Sequence, residues 1–176
     1  LYLDYNEFSD LSPLSGLLKL QILWIDDNSV VDLGPLKELD LFWLSAGDNH
    51  IVDISVLQNQ KNLRHLWLGG NEITDISPLK GLQRLQKLHL AINKISDISP
   101  LEGMVNISSL YLAKNQISDI SPLGSLTSLR FLSPGLDYKE SPLEVQRWFL
   151  TGNPIDPSSC SNTENMPLGV QLICRE

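Results

Sequence analysis

The stretch that decides the fold is Leu63-Arg-His-Leu66-Trp-Leu68-Gly-Gly-Asn71, because the chain repeats its pattern twice more without a gap. The two copies are Leu85-Gln-Lys-Leu88-His-Leu90-Ala-Ile-Asn93 and Ile107-Ser-Ser-Leu110-Tyr-Leu112-Ala-Lys-Asn115, so the asparagines stand 22 residues apart. Self-similarity at a fixed period of this length predicts a solenoid, in which each coil buries its apolar face against the coils next to it.

The asparagine position continues in both directions along the chain. Asn6, Asn28 and Asn49 precede it, the last after a coil that is one residue short; Asp137 and Asn153 follow it. This spacing predicts about eight coils over residues 1–153. The first coil is truncated, because Leu1 already lies inside a repeat, and we therefore expect the chain to be a piece of a longer or processed protein.

The physics of one coil follows from the spacing of its residues. Side chains alternate between the two faces of a strand, so Leu66 and Leu68 point into the core and Trp67 points outward. Asn71 leaves the strand into a turn, where its amide can bond unpaired backbone groups; a column of asparagines then forms a buried ladder. The segment Asp75-Ile-Ser-Pro-Leu79 returns the chain, and its proline favours a short 3₁₀ turn over a strand.

The repeat L-x-x-L-x-L-x-x-N-x-I-x-D-I-S-P-L resembles the bacterial internalin-like leucine-rich-repeat family, and the resemblance covers residues 1–132 well. It implies a curved, right-handed α/β solenoid with a parallel concave β-sheet and short 3₁₀ or helical return segments. It also implies no cofactor and binding of a protein ligand through the concave face. Some members of the family bind host cell-surface receptors.

The repeat becomes irregular over residues 133–145. Pro134 stands where a core leucine is expected, and proline cannot donate a hydrogen bond to a sheet. This irregularity indicates either drift near the end of the array or a projecting loop that touches the ligand.

Residues 154–176 leave the repeat and are predicted to form a C-terminal cap. Both cysteines of the chain, Cys160 and Cys174, fall in this segment. A disulfide between them would contribute roughly 3 kcal/mol in the chain-entropy model and would fit an extracellular or cell-surface location. The alternative is a pair of buried free thiols.

Aromatic side chains dominate the positions that alternate with the core leucines. The position four residues before each asparagine holds Trp24, Ser45, Trp67, His89 and Tyr111, and Trp43 lies one outward position earlier than Ser45. Aromatic residues anchored on a rigid sheet are typical of binding hot spots. The alternative is that they only reflect the preference of aromatic residues for strands.

Charge is segregated on the same face. The first three coils carry only acids there, including Asp26 and Asp48, and the later coils carry only bases and histidines, including Arg64, His65 and Lys87. Such a gradient would orient a ligand, although chance clustering is the simpler alternative. Small residues two positions before the asparagines, among them Gly47 and Gly69, predict room for a partner's side chains.

The sequence does not indicate a catalytic site or a metal site. Asp4 and Asp26 are expected to be a solvated pair, and two histidines, His65 and His89, without a nearby carboxylate or thiol make a poor metal site. No nucleophile has a triad around it, and no glycine-rich phosphate loop precedes a helix.

Composition excludes further classes of function. The net charge of -8 argues against nucleic-acid binding, and no apolar run is long enough to span a membrane. The sequence predicts a non-catalytic, secreted or cell-surface bacterial module that binds a protein. The alternatives are a structural spacer that presents another domain and a cytoplasmic regulator of a phosphatase or kinase; self-association through the sheet face is also possible.

Overall fold

One face of the molecule is a parallel sheet with one strand per coil. A computed structural model describes residues 1–129 and 151–160. Within them the strands pair in chain order: β1 (Ile22–Trp24), β2 (Trp43–Ser45), β3 (His65–Trp67), β4 (Lys87–His89) and β5 (Ser109–Tyr111). Tyr2 forms a parallel bridge with Trp24 and so extends the sheet to the first coil.

The core is a stack of aliphatic layers behind this sheet. The central leucines of neighbouring strands pair directly, as Leu44 does with Leu66 and Leu66 with Leu88, and all three are fully buried. Leu68 is buried as well. The predicted alternation is confirmed, and each buried leucine contributes about 2 kcal/mol by removing apolar surface from water.

Short 3₁₀ helices form the return side, as predicted. In most coils an aspartate precedes the helix by two residues and accepts hydrogen bonds from a serine; Asp75 accepts from the Ser77 N–H at 2.7 Å and from the Ser77 hydroxyl at 2.9 Å. These bonds satisfy donors at the start of the helix. The helices are Ser12–Leu14, Gly34–Leu36, Ser55–Asn59, Ser77–Gly81, Ser99–Leu101, Ser121–Ser125 and Pro157–Cys160.

The predicted asparagine ladder is confirmed. Asn71 is buried, and its amide nitrogen donates to the carbonyls of Ala46 at 2.9 Å and Leu68 at 3.1 Å. Its amide oxygen accepts from the Ile51 N–H at 2.9 Å. Each such asparagine forms one rung of the ladder. The rung links its own coil to the preceding one through backbone groups that would otherwise be buried without partners.

The residue before each rung has a left-handed backbone, which lets the chain turn out of the strand. Glycine occupies this position only at Gly70 and Gly152. The other left-handed positions are occupied by non-glycine residues: Tyr5, Asp27, Asp48, Ile92 and Lys114. A β-branched residue such as Ile92 is uncommon in this conformation, because its Cβ substituents crowd the backbone.

Asn153, and not the next position of the 22-residue period, makes the rung that follows Asn115, whereas Asp137 lies outside the described residues. Asn153 bonds directly to the coil of Asn115: its amide nitrogen donates to the Leu112 carbonyl at 2.9 Å, and its amide oxygen accepts from the Ile117 N–H at 3.0 Å. These are the two bonds to the preceding coil that are also made by Asn49, Asn71, Asn93 and Asn115. The step between these two rungs is therefore 38 residues long instead of 22.

The return-segment pattern also continues beyond residue 153, where the sequence predicted the cap to begin. Asp156 accepts from the Ser158 N–H at 2.8 Å, as the aspartates of the earlier return segments do, and Ile155 and Cys160 pack against the core. Most of the predicted cap, the irregular segment 133–145 and Cys174 lie outside the described residues. The cap and the disulfide stay predictions.

A buried glutamine compensates for the coil that is one residue short. Gln60 occupies the core position that holds Leu82 and Met104 in later coils. Its side-chain oxygen accepts from the Leu41 N–H at 3.0 Å, and its nitrogen donates to the Leu36 carbonyl at 3.2 Å. In coils of normal length, the N–H equivalent to that of Leu41 donates to a backbone carbonyl three residues earlier. This bond is missing in the coil that is one residue short, and the Gln60 side chain supplies the acceptor instead.

Candidate functional site

A continuous row of stacked rings crosses the sheet face. Its ring centroids are 5.3 Å apart for Trp24 and Trp43, 6.1 Å for Trp43 and Trp67, 6.2 Å for Trp67 and His89, and 4.9 Å for His89 and Tyr111. These distances lie in the range in which aromatic pairs attract each other. The predicted stripe is therefore present as a physical contact row, which we call the aromatic ladder, and Tyr2 extends it beside Trp24.

The row is continuous because Trp43 contributes the ring that Ser45 lacks. Ser45 stands between Trp24 and Trp67 in the register of the strands, and Trp43 lies one outward position earlier. The Trp43 ring contacts both neighbouring indoles, and Ser45 is buried although it belongs to the outward face.

Phe42 is a member of the site that the sequence analysis missed. Its ring lies 5.5 Å from that of His65, and the Arg64 guanidinium carbon lies 5.4 Å from its centroid. Arg64 is thus held over an aromatic face at the beginning of the strand. The sequence could have indicated this contact, because Phe42 and Arg64 occupy equivalent positions in neighbouring coils.

The structure shows that charge is separated diagonally across the sheet face. The acids follow the strands of the early coils at their carboxyl ends, as Asp26 and Asp48 do. Arg64, His65 and Lys87 lie at the amino ends of β3 and β4. The two groups lie roughly 13–20 Å apart along the strand direction. The His65 ring contacts Trp43 of the aromatic ladder, with ring centroids 4.7 Å apart.

The carboxylates of Asp4 and Asp26 each bind the backbone of the next coil. The Asp4 carboxylate accepts from the Asp26 N–H at 2.9 Å, and the Asp26 carboxylate accepts from the Gly47 N–H at 2.5 Å, so each caps the backbone of the next coil. Burial raises the pKa of Asp26, and repulsion from Asp4 and Asp27 adds to the rise, while hydrogen bonds from Ser45 and Gly47 oppose it.

The room predicted beside the small residues is filled by the protein itself. The His89 ring lies directly over Gly69, where a Cβ atom would overlap it, and the Asp26 carboxylate lies over Gly47. The prediction of open space at Gly47 and Gly69 is therefore wrong. The absence of a Cβ atom at Gly69 instead leaves space for the His89 ring between Trp67 and Tyr111.

We expect Gly69→Ala to expel the His89 ring from the aromatic ladder and to lower the free energy of unfolding by about 1 kcal/mol. Burial lowers the pKa of His89 in the native protein, so expulsion should return that pKa toward the ordinary value. An NMR titration of the histidine ring protons measures this shift. Gly16→Ala is the control, because nothing lies near a Cβ atom at that position. An unchanged His89 titration in Gly69→Ala would refute the role of the glycine.

Two histidines of the face make stability depend on pH. Burial lowers the pKa of His65, and the charges of Lys87 and Arg64 lower it further; burial also lowers the pKa of His89. Below the ordinary pKa of about 6.5, the unfolded chain therefore binds more protons than the folded chain. We expect the free energy of unfolding to fall as the pH drops from 6.5 through the two folded-state pKa values.

Urea unfolding at a series of pH values tests this dependence. The double variant His65→Gln/His89→Gln should flatten the slope between pH 6.5 and the folded-state values. A slope equal to that of the unsubstituted chain would show that other groups cause it.

Other kinds of site find no counterpart in the described residues. Within residues 1–129 and 151–160, no three His, Cys, Asp or Glu side chains are grouped so that they could hold a metal ion. The rings of His65 and His89 stack in different columns of the sheet. In the same part of the chain, no helix is long and apolar enough to cross a membrane.

The fold and the stacked repeats define the class of the protein as a leucine-rich-repeat interaction module. The family model for leucine-rich repeats in two copies matches residues 37–81, 61–103 and 83–125, which together span 89 of the 176 residues. The chain belongs to this family, and its repeat pattern and its structural neighbours make it an internalin-like member.

Two solved internalins of Listeria monocytogenes are similar over most of the chain. Internalin C2 is 32% identical with a TM-score of 0.77, and the alignment covers 92% of this chain and 65% of that one. A second internalin, InlF, is 34% identical with a TM-score of 0.73, covering 91% of this chain and 50% of that one. The chain thus spans between half and two thirds of these proteins.

More distant similarities add support for the fold alone. A leucine-rich-repeat protein of Leptospira interrogans is 23% identical with a TM-score of 0.74 over 99% of this chain and 41% of that one. Among curated proteins, human leucine-rich repeat-containing protein 56 is 51% identical over 41 residues, which is 23% of this chain and 8% of that protein.

Proposed function

We propose that this chain is a non-catalytic binding module that holds a protein partner on the aromatic ladder of its sheet face. The observation that carries the proposal is the contiguous row from Trp24 to Tyr111, in which Trp67 keeps 39% of its surface exposed. A partly exposed aromatic row on a rigid sheet is the kind of surface that forms binding hot spots. The family of the chain agrees with a role in protein interaction.

Unpaired polar atoms in the aromatic ladder favour rearrangement on binding. The indole nitrogens of Trp24 and Trp43 and Nδ1 of His65 are buried and have no hydrogen-bond partner among the described residues. Each buried unpaired group costs about 1–3 kcal/mol. A partner that offers carbonyl oxygens at this face would satisfy the two indole donors while keeping the rings out of water.

We propose an extracellular or cell-surface location, with a host or cell-surface protein as the partner. The similarity to internalins and the predicted Cys160–Cys174 disulfide support it. Free thiols at both cysteines in the native protein would contradict this location and favour the cytoplasmic regulator.

The double variant Trp24→Ala/Trp67→Ala tests the proposed face. We expect it to lose at least about tenfold in affinity for a protein captured from a cell-surface extract, because hot-spot aromatics dominate binding free energy. Val31→Ala/Val52→Ala is the matched control, since both valines are exposed apolar residues on the return side. Unchanged affinity in a folded tryptophan variant would contradict the proposal. Concentration-dependent dimerisation that the tryptophan variant abolishes would identify the partner as a second copy.

A further inference from the structure

Three basic side chains gather at the amino ends of β3 and β4. His65 pairs with Lys87 in the register of these strands, and Arg64 directly precedes His65. The charges of both bases act on the His65 ring, since each of them lowers the pKa of His65. These three residues, which we call the basic cluster, therefore share one local patch of the sheet face.

Aromatic rings hold part of the basic cluster in place. The Arg64 guanidinium carbon lies 5.4 Å from the centroid of the Phe42 ring. The centroid of the His65 ring lies 5.5 Å from that of Phe42 and 4.7 Å from that of Trp43. A guanidinium that stacks on a ring keeps its N–H edge for a carboxylate, and a side chain that is already held loses less entropy on binding.

No acid balances the basic cluster in the part of the chain that the structure describes. None of the ion pairs there includes a member of the cluster. The Asp40 carboxylate instead accepts hydrogen bonds from the Asn62 amide at 2.9 and 2.7 Å. Asp26 and Asp48 lie roughly 13–20 Å from the cluster along the strand direction, beyond the screening length of about 8 Å at physiological ionic strength.

The free protein gains little from this arrangement. Arg64 and Lys87 oppose the protonation of His65, and burial of the ring opposes it as well. Nδ1 of His65 is buried and has no hydrogen-bond partner among the described residues. A carboxylate beside the three side chains would offset the repulsion and would accept hydrogen bonds from the Arg64 and Lys87 N–H groups.

We propose that the basic cluster receives a carboxylate side chain of the protein partner, an aspartate or a glutamate, bound by Arg64 and Lys87 and placed beside His65. A polyanion such as a nucleic acid fits less well, because the net charge of -8 repels it, whereas a single carboxylate meets only the local bases. The proposal rests on the proposed function, since it names the chemistry of the partner at one place of the same face.

Two matched peptides test the carboxylate subsite without a known partner. The probe is blocked Gly-Glu-Leu-Glu-Gly, and its control is blocked Gly-Gln-Leu-Gln-Gly, which has the same length and nearly the same shape without the charge. NMR of the His65 ring protons and of the Trp43 indole N–H follows binding at low salt. We expect the glutamate peptide to shift these signals saturably and to bind about fivefold more tightly than the glutamine peptide.

Arg64→Gln/Lys87→Gln should remove this preference. Lys61→Gln/Lys80→Gln is the matched control, because it removes the same charge from exposed positions at or next to the 3₁₀ helices of the return side. We expect the control to keep the preference. Equal affinity for the two peptides, or a preference that survives Arg64→Gln/Lys87→Gln, would overturn the carboxylate subsite. A preference that both double variants lose equally would also overturn it, because net charge would then be the cause.

His65 supplies a second readout. Its ring packs against Trp43 and Phe42, which carry no charge, and the charged groups that act on it are Lys87 of β4 and Arg64. A bound carboxylate would counter these two charges and raise the pKa of His65, so the complex would bind more protons than the free protein. Affinity for the glutamate peptide should therefore rise as the pH falls from the bound-state pKa to the lower pKa of the free protein.

His65→Gln should abolish this rise in affinity. His50→Gln is its control and should keep the rise, because His50 is exposed and lies outside the strands. A His65 pKa that the glutamate peptide leaves unchanged would overturn the placement of the carboxylate. If the two peptides bind equally while Trp24→Ala/Trp67→Ala still loses the protein partner, the proposed face stands and only the carboxylate subsite fails.

Discussion

Asn71→Ala is expected to lower the free energy of unfolding by about 3 kcal/mol or more. The substitution leaves the Ile51 N–H without its acceptor and removes the donor that bonds the Ala46 and Leu68 carbonyls, all inside the solenoid. Water cannot replace these bonds without opening the stack. Urea unfolding measures the loss as a lower midpoint concentration. The dependence of the free energy of unfolding on urea concentration should stay the same, because the surface exposed on unfolding does not change.

Asn6→Ala is the matched control for this rung. Asn6 makes the same bonds within its own coil, to the carbonyls of Leu3 and Asp4, but it is exposed. Water can therefore take over its partners, and we expect less than about 0.5 kcal/mol of loss. Equal losses at the two positions would mean that local turn geometry, and not burial of the ladder, sets the contribution of the asparagines.

Gln60→Leu is expected to destabilise the fold by about 2 kcal/mol, although it installs the residue that later coils use. The leucine would leave the Leu41 N–H buried without an acceptor, because the short coil lacks the usual backbone carbonyl for it. The apolar gain from the leucine offsets only part of this cost. Thermal or urea unfolding of the variant provides the measurement.

Met104→Leu serves as the control, since Met104 occupies the same position but follows a coil of normal length. A volume-conserving exchange there should change stability by less than about 1.5 kcal/mol. A stabilising effect of Gln60→Leu would show that the short coil does not depend on the glutamine amide.

The repeated fold could be predicted from the sequence because its determinants are local and periodic. The spacing of Leu66, Leu68 and Asn71 fixes which side chains enter the core and where the turn lies, and Pro78 fixes the return side. The order of the rings along the sheet followed from the same register. The sequence also carries a signal for Gln60, since this polar residue in a column of apolar residues follows directly after the coil that is one residue short.

Features that depend on side-chain conformation or on long-range stacking could not be predicted in this way. Counting residues placed a rung at Asp137, but the chain stacks Asn153 directly on the coil of Asn115. Small residues at 47 and 69 read as open space, whereas Asp26 and His89 fold over them from neighbouring positions. Sequence spacing gives the column of a side chain, but not the direction in which it bends.

Position-specific photo-cross-linking tests the central claim, that a protein partner lies on the aromatic ladder, most directly. Benzoylphenylalanine replaces Trp67 in one variant and Val52, an exposed residue of the return side, in another. Both are irradiated in a cell-surface extract. We predict a cross-linked protein from position 67 alone, suppressed by excess unlabelled chain but not by excess Trp24→Ala/Trp67→Ala. Cross-links of equal yield from both positions, or competition by the double variant as strong as by the unsubstituted chain, would contradict binding at the sheet face.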